Sequence, residues 1–319
     1  MIRRGDREES HSGQFTTLDG QRASYNHSIK YGRPMAERWV TYERLLRMTG
    51  WVEKLDAAAR SNSSLVCVGL DPNPNRMAIS DVAEFNRAIV DATSDLVCAY
   101  KPQLAFYEAL GMDGLRALEK TVSHIKDVAP DAVLIGDCKR GDIGSTAAAY
   151  ATAMFDVWDF DTVTLHPYLG SESIEPFTER EDRGAIIVCR TSNPGAAELQ
   201  DLQLTGDGVE GTLYEHTARL ASKWNSRGNV GIVVGATYPG EMAELREQHP
   251  DMPFLIPGVG AQGGDVEAAT RAGVNSDGRG VMISSSRGII YASEEPDTFA
   301  SAARQAAEDL RNEINEALK

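Results

Sequence analysis

The chain has 319 residues, 42% hydrophobic and 25% charged, with a formal net charge of −15 at pH 7. That length is generous for an ordinary domain and normal for one α/β barrel. No apolar run approaches the ~18 residues of a membrane span, the start lacks the apolar stretch of a secretory signal, and the acidity argues against a nucleic-acid-binding body; a soluble cytoplasmic protein is expected.

Residues 1–47 hold nine Lys/Arg against six Asp/Glu, a net of +3, so residues 48–319 carry −18. The first 33 residues are polar and aperiodic, the composition of a disordered segment. A helical pattern is possible from Pro34 onward. Met48 is an alternative start, because "MTGWVEKLDAAARSNSS" alone makes a helix leading into the first strand. The chain therefore divides into an extension, 1–47, and a body, 48–319. The body has few lysines, with eight Lys against 24 Arg in the whole chain. This is either ordinary acidic composition or adaptation to a salt-rich cytosol, where screening relieves self-repulsion.

Eight short β-rich runs follow in order: 64–70, 96–100, 132–136, 162–165, 185–189, 230–234, 254–256 and 281–284. They are nearly continuous in apolar character, as parallel strands covered on both faces should be. Helix-like stretches separate them, among them Asp81–Asp95 and Gly240–Gln248, and a last one spans Pro296–Leu318. Eight β/α units predict an α/β fold, a closed (β/α)8 TIM barrel. A doubly wound open sheet is the runner-up, but no G-x-G-x-x-G follows the first strand. Cys67, Cys98, Cys138 and Cys189 all fall in these strands without C-x-x-C spacing. They read as small buried apolar residues rather than disulfides or zinc ligands.

Polar residues collect where each strand ends: Asp71, Lys101, Asp137 with Lys139, His166, "RTSNPG" (190–195), "GATYPGE" (235–241), "PGVG" (257–260) and "SSRG" (285–288). That is the face on which barrel enzymes build their sites. Alternation along a strand turns Asp137 and Lys139 into the barrel mouth and Cys138 away, and Lys101 on the next strand reaches the same space. Opposite charges at ~4 Å attract by about 4 kcal/mol at an effective dielectric of 20, so the set reads either as a satisfied ion-pair network or as catalytic machinery. "PGVGAQGG" reads either as a tight loop or, through Gly258 and Gly260, as a phosphate cradle of backbone N–H groups before a helix.

The segment Asp137-x-Lys139-x-x-Asp142-Ile143, with Thr146 beyond it, resembles the strand-three motif of the orotidine 5′-phosphate decarboxylases. "CVGLDP", "YKPQLAFYEALG", "RTSNPGA", "PGVGAQGGD" and "SSRGIIYAS" extend the resemblance over nearly everything from Leu65 onward, in the form of the family's larger, divergent subgroup. The resemblance implies loss of CO2 from C6 of orotidine 5′-phosphate to give UMP, with no cofactor and no metal. Lys139 would protonate C6, Asp137 would sit near the departing carboxylate and hold Lys139, and Lys101 would pair with Asp137 and touch a ribose hydroxyl. Asp71 would accept from a ribose hydroxyl, Ser192 would read the pyrimidine edge, and Arg287 with Gly288 would meet the phosphate. Asp142 and Thr146 would reach into a neighbouring subunit's site, which makes a homodimer with shared sites the expected unit.

The resemblance departs at one point. The gripping loop familiar from the family is short here, "GATYPGE", and the long connection 195–216 is the alternative lid. Two other functions stay in view. One is a Mg2+-dependent sugar-phosphate decarboxylase or synthase on the same barrel, which would want a metal-ligating carboxylate where Lys101 stands. The other is a non-catalytic nucleotide-binding barrel.

Overall fold

A computed structural model describes residues 50–319 except 207, 261 and 262. The extension and the helix expected from Pro34 lie outside the described residues, apart from the continuation at 51–55. Helix α1 (Trp51–Ser61) leads into β1 (Val66–Leu70), α2 (Val82–Thr93), β2 (Ala99–Pro102), α3 (Leu104–Glu108), α4 (Gly111–Val128) and β3 (Val133–Arg140). Then come α5 (Gly144–Thr152), β4 (Thr162–Leu165), α6 (Glu175–Thr178) and β5 (Gly184–Arg190). An insertion supplies β6 (Gln203–Gly206) and β7 (Val209–Thr212) before α7 (Leu213–Trp224) and β8 (Val230–Val234). The chain closes with α8 (Pro239–Gln248), β9 (Phe254–Pro257), α9 (Val266–Gly273), β10 (Val281–Ser285), α10 (Arg287–Ile290) and α11 (Phe299–Ala317).

Strands β1, β2, β3, β4, β5, β8, β9 and β10 form a closed parallel barrel, and β6 and β7 form a separate antiparallel hairpin. The expected (β/α)8 barrel is therefore the observed fold. The apolar runs predicted it because every barrel strand is covered by helices outside and by packed side chains inside. Residues of β1, β2, β8 and β10 are buried along nearly their full length.

The N-terminal end of the barrel is sealed by Trp51 of α1. Its indole Nε1 donates to the Asn229 carbonyl at 2.8 Å, and a Cβ at Gly184 would lie 1.9 Å from that nitrogen, so only glycine fits there. The Asn229 side-chain amide donates to the carbonyls of Thr178, Arg180 and Arg183. Lys54, one turn on, meets Asp161 at 2.8 Å just before β4. The segment following Met48 is thus part of the barrel's floor.

Local signals set the outer helices. Asp81 caps α2 by accepting from Ala83 and Glu84 N–H, a contact worth about 1 kcal/mol. Thr212 and Glu215 cap α7 reciprocally. Strand β3 differs from expectation: it continues to Arg140 rather than stopping at Gly136, with a register shift against β4 between Gly136 and Arg140. Asp137 and Lys139 consequently lie within the strand.

Candidate active site

The charged residues of β2 and β3 meet at the barrel mouth. Lys101 and Asp137 are each only 5% exposed. Lys101 Nζ donates to Asp137 Oδ2 at 2.9 Å, and Lys139 Nζ donates to Asp137 Oδ1 at 2.5 Å. Asp71, at the end of β1, lies 4.0 Å from Lys101 Nζ. The Lys139 side chain keeps 38% of its surface open, so this ammonium faces the cavity while the other two partners are enclosed.

The backbone delivers Lys139 by an irregularity. Its φ is 43°, a left-handed conformation that costs a non-glycine residue free energy. Thr164 of β4 compensates. Its hydroxyl accepts from the N–H groups of Cys138 and Lys139 at 3.1 and 3.0 Å and donates to Asp137 Oδ1 at 2.8 Å. One donor and two acceptor sites are all that a hydroxyl has.

The charges reinforce one another. Burial would raise the Asp137 carboxyl, but the Lys101 and Lys139 ammonium groups outweigh it and hold Asp137 well below the usual carboxylate range. Burial would lower Lys101, yet Asp137 and then Asp71 hold it above the ordinary lysine value. Both therefore stay ionised through neutral pH. His166, exposed just beyond β4, is pushed below its ordinary value by partial desolvation and by Lys139.

These groups line a cavity of about 370 Å3, within the range of small-molecule sites. Asp71, Lys101, Asp137, Lys139 and Thr164 form one wall, and Thr191, Ser192 and Asn193 beyond β5 form another. Val233, Leu255 and Pro257 contribute apolar surface between them. Gly258, Val259 and the run Ser284 to Arg287 complete the lining. Gly258 has φ 100°, open only to glycine, and its carbonyl accepts from Gly264 N–H at 3.1 Å to curl the loop.

The structure thus brings together Asp71, Lys101, Asp137, Lys139, Ser192, Gly258 and Arg287. Gly260 and Gly288 are neighbours of lining residues without lining the cavity themselves. Asp142 and Thr146 also lie outside it. The Asp142 carboxylate accepts from Ile143 N–H at 2.8 Å beside the start of α5, and Thr146 is exposed on that helix. Thr191, Asn193, Ser285 and Ser286 come from the strand-end stretches 190–195 and 285–288, whereas Gln103, Phe106, Thr164 and Ser284 line the cavity without having been singled out. Thr164 reads in sequence as one more β-branched strand residue.

The described residues of the connection 195–216 are held by hydrogen bonds among themselves and to Thr191. They form a short 3₁₀ turn and the β6–β7 hairpin. Gln200 accepts from Thr191 N–H at 2.9 Å and donates to Thr191 Oγ1 at 2.7 Å, fastening the insertion to the cavity wall. Arg190, 3% exposed, lies 2.6 Å from Asp201 and 3.9 Å above the Tyr238 ring. It thereby joins the insertion to the short loop after β8.

All four cysteines are buried free thiols; burial pushes Cys67 and Cys189 up to about 12. Among the described residues no group of three His, Cys, Asp or Glu side chains could hold a metal ion, and no helix is long and apolar enough to cross a membrane.

Comparison with known proteins shows the family and the fold. The chain is 51% identical over 274 residues to an orotidine 5′-phosphate decarboxylase of Cellvibrio japonicus, covering 83% of this chain and 98% of that one. A relative of the same name from Roseiflexus castenholzii is also 51% identical, with 84% and 98% covered. The structure of Leishmania donovani OMP decarboxylase superposes with a TM-score of 0.74 at 37% identity, over 85% of this chain and 99% of that one. The family model "Orotidine 5'-phosphate decarboxylase / HUMPS family" matches residues 64–303, and the chain belongs to that family.

Proposed function

We propose that this protein is an orotidine 5′-phosphate decarboxylase, converting orotidine 5′-phosphate to UMP and CO2 in pyrimidine biosynthesis. The observation that carries the reading is the cavity-facing Lys139 ammonium held on a buried, ionised Asp137.

The chemistry requires that arrangement. Cleavage of the C6–carboxylate bond releases CO2 and leaves its electron pair on C6, in the ring plane, where the π system cannot delocalise it. A cation beside C6 stabilises that pair electrostatically, and the same group can supply the proton. Lys139 fills both roles: its N–H bond breaks, the proton joins C6, and the neutral amine regains a proton from solvent. Asp137 stands beside the departing carboxylate and keeps Lys139 aimed. Thr164 fixes both by holding the bulge. No resident cofactor is required.

Lys101 and Asp71 serve the ribose hydroxyls, Ser192 the pyrimidine edge, and Arg287 with the Gly258–Gly260 loop and Gly288 the phosphate, where a guanidinium can bind bidentately. Asp142 and Thr146, on the outer edge of the barrel mouth, act in a partner subunit's site, so the working unit is a cytoplasmic homodimer. Exposed Ile143, Tyr168 and Leu169 offer that edge an apolar surface. The β6–β7 insertion serves as the lid.

The reading is tested by the absorbance change of orotidine 5′-phosphate with EDTA present. Turnover by the wild type, lost in Lys139→Ala with an unchanged circular dichroism spectrum, supports it. Substantial turnover by Lys139→Ala removes the assignment of the proton donor. Activity lost with EDTA and restored by Mg2+ points instead to a metal-dependent sugar-phosphate enzyme. Binding of UMP without turnover points to a nucleotide-binding barrel.

A further inference from the structure

Asp71 and Arg287 lie at opposite ends of the sequence yet on adjacent strand exits, because β1 pairs with β10 and closes the barrel. Beyond Leu70 the chain leaves the sheet, and the Asp71 carbonyl and Asn73 N–H lose the sheet as a source of partners. A tyrosine takes its place. Tyr291 Oη donates to the Asp71 carbonyl at 2.6 Å and accepts from Asn73 N–H at 2.7 Å.

Tyr291 directly follows α10, whose first residue is Arg287. Ile289 and Ile290 anchor that short helix in the core. The Tyr291 ring stacks on Phe85 with centroids 6.1 Å apart, and the Arg76 guanidinium sits 4.4 Å above its centroid. The hydroxyl is therefore carried by a ring held by two neighbours, Phe85 and Arg76. One residue joins the segment that carries the proposed phosphate cation to the backbone of the proposed ribose acceptor. Tyr291 itself does not line the cavity.

We propose that Tyr291 is a positioning residue that sets the separation of Asp71 from Arg287, so that binding of the phosphate places the ribose and, through it, C6 against Lys139. The inference rests on the function proposed above. If the loop bearing Asp71 relaxes, the phosphate still binds but no longer brings the ribose hydroxyls to their acceptor. A 1 Å error in placing a reacting centre is costly in rate.

The test is a double-mutant cycle on kcat/KM for orotidine 5′-phosphate, with Tyr291→Phe and Arg287→Ala. Tyr291→Phe removes only the hydroxyl. Alone it should lower kcat/KM about tenfold, whereas on the Arg287→Ala background its further effect should be twofold or less, because the phosphate anchor it serves is already gone. Phe85→Leu provides the comparison for a merely structural role: it loosens the ring packing but keeps the hydroxyl. It should lower the thermal midpoint without reproducing that non-additivity. Additive losses, no loss in Tyr291→Phe, or the same cycle from Phe85→Leu would each overturn the proposal. Should Tyr291→Phe not fold, calorimetric UMP binding by Asn73→Pro, which deletes the N–H bonded to Tyr291 Oη, provides the same reading. Affinity weakened about tenfold on the Arg287 background and less on Arg287→Ala supports it, and equal weakening overturns it. A wild type that turns over no orotidine 5′-phosphate defeats the functional reading itself, an outcome separate from any of these.

Discussion

Thr164 donates its hydroxyl to the Asp137 carboxylate at 2.8 Å while accepting two successive N–H groups of the β3 bulge. This side chain, rather than strand alternation alone, sets where Lys139 stands. Thr164→Val keeps the shape and deletes every one of these bonds. Leaving buried N–H groups unpaired costs about 1–3 kcal/mol. We expect a loss of about 2 kcal/mol in denaturant stability by that reasoning and a fall in kcat of at least roughly tenfold, equivalent to ~1.4 kcal/mol in the barrier. Thr164→Ser should recover most of both. Unchanged kcat in Thr164→Val would remove Thr164 from the mechanism.

The Asp137 network predicts a pH dependence. The folded-state value of Asp137 is depressed, so its stabilising contribution is present above the unfolded carboxylate value, ~3.9, and is lost as pH falls through the lower folded value. Lys101 is raised, so its contribution is complete below ~10.4 and is lost only as pH rises through its higher folded value. Between those limits neither group should tilt the stability curve. Asp137→Asn leaves two ammonium groups without their shared partner, a change of about 3 kcal/mol for a buried pair. The gap in thermal midpoint between Asp137→Asn and wild type should shrink below pH 4, as the wild-type carboxylate is protonated. A gap that persists unchanged to pH 2 would contradict the assignment.

Asp142 separates a local cap from a shared site. It accepts from Ile143 N–H and lies outside the cavity of its own barrel. Inactive Lys139→Ala and inactive Asp142→Ala are mixed under conditions that exchange subunits. If Asp142 works in trans, one site of each mixed dimer contains both native residues. About half of the dimers are mixed at random pairing, so about a quarter of all sites should regain activity. Verified exchange without recovery would confine Asp142 to capping its own helix.

Acidity predicts a salt response. With −15 overall and only eight lysines, self-repulsion should be relieved as the Debye length falls from ~10 Å at 0.1 M to ~3 Å at 1 M salt. The thermal midpoint should rise steeply from low to molar KCl. A midpoint indifferent to KCl would leave the acidity as composition alone.

The strands were legible because burial on both faces leaves one chemical solution, a short apolar run. The fourth and sixth expected strands, 162–165 and 230–234, coincide with β4 and β8. The third did not end where its apolar run ended. Asp137 to Arg140 look like loop residues to any reading that ranks strand residues by hydrophobicity. They remain in the strand because Lys101, Lys139 and Thr164 compensate the Asp137 charge there. The long connection after β5 had no strand pattern to read, yet β6 and β7 pair with each other there and Gln200 ties the segment to Thr191.

The sequence by itself determined the barrel, the strand ends on which chemistry could sit, and the charged triplet Lys101, Asp137 and Lys139, since each follows from local periodicity and charge placement. The supporting partners required the closed tertiary structure. Thr162 and Thr164 are two apart on one strand, alike in type and both buried, but the Thr162 hydroxyl has no hydrogen-bond partner while Thr164 holds Asp137 and two backbone N–H groups. Likewise, Tyr291 reaches Asp71 only because β10 closes on β1 across more than two hundred residues of chain. A hydrogen bond depends on distance and direction within tenths of an ångström, and for residues so far apart in sequence only the folded barrel provides either.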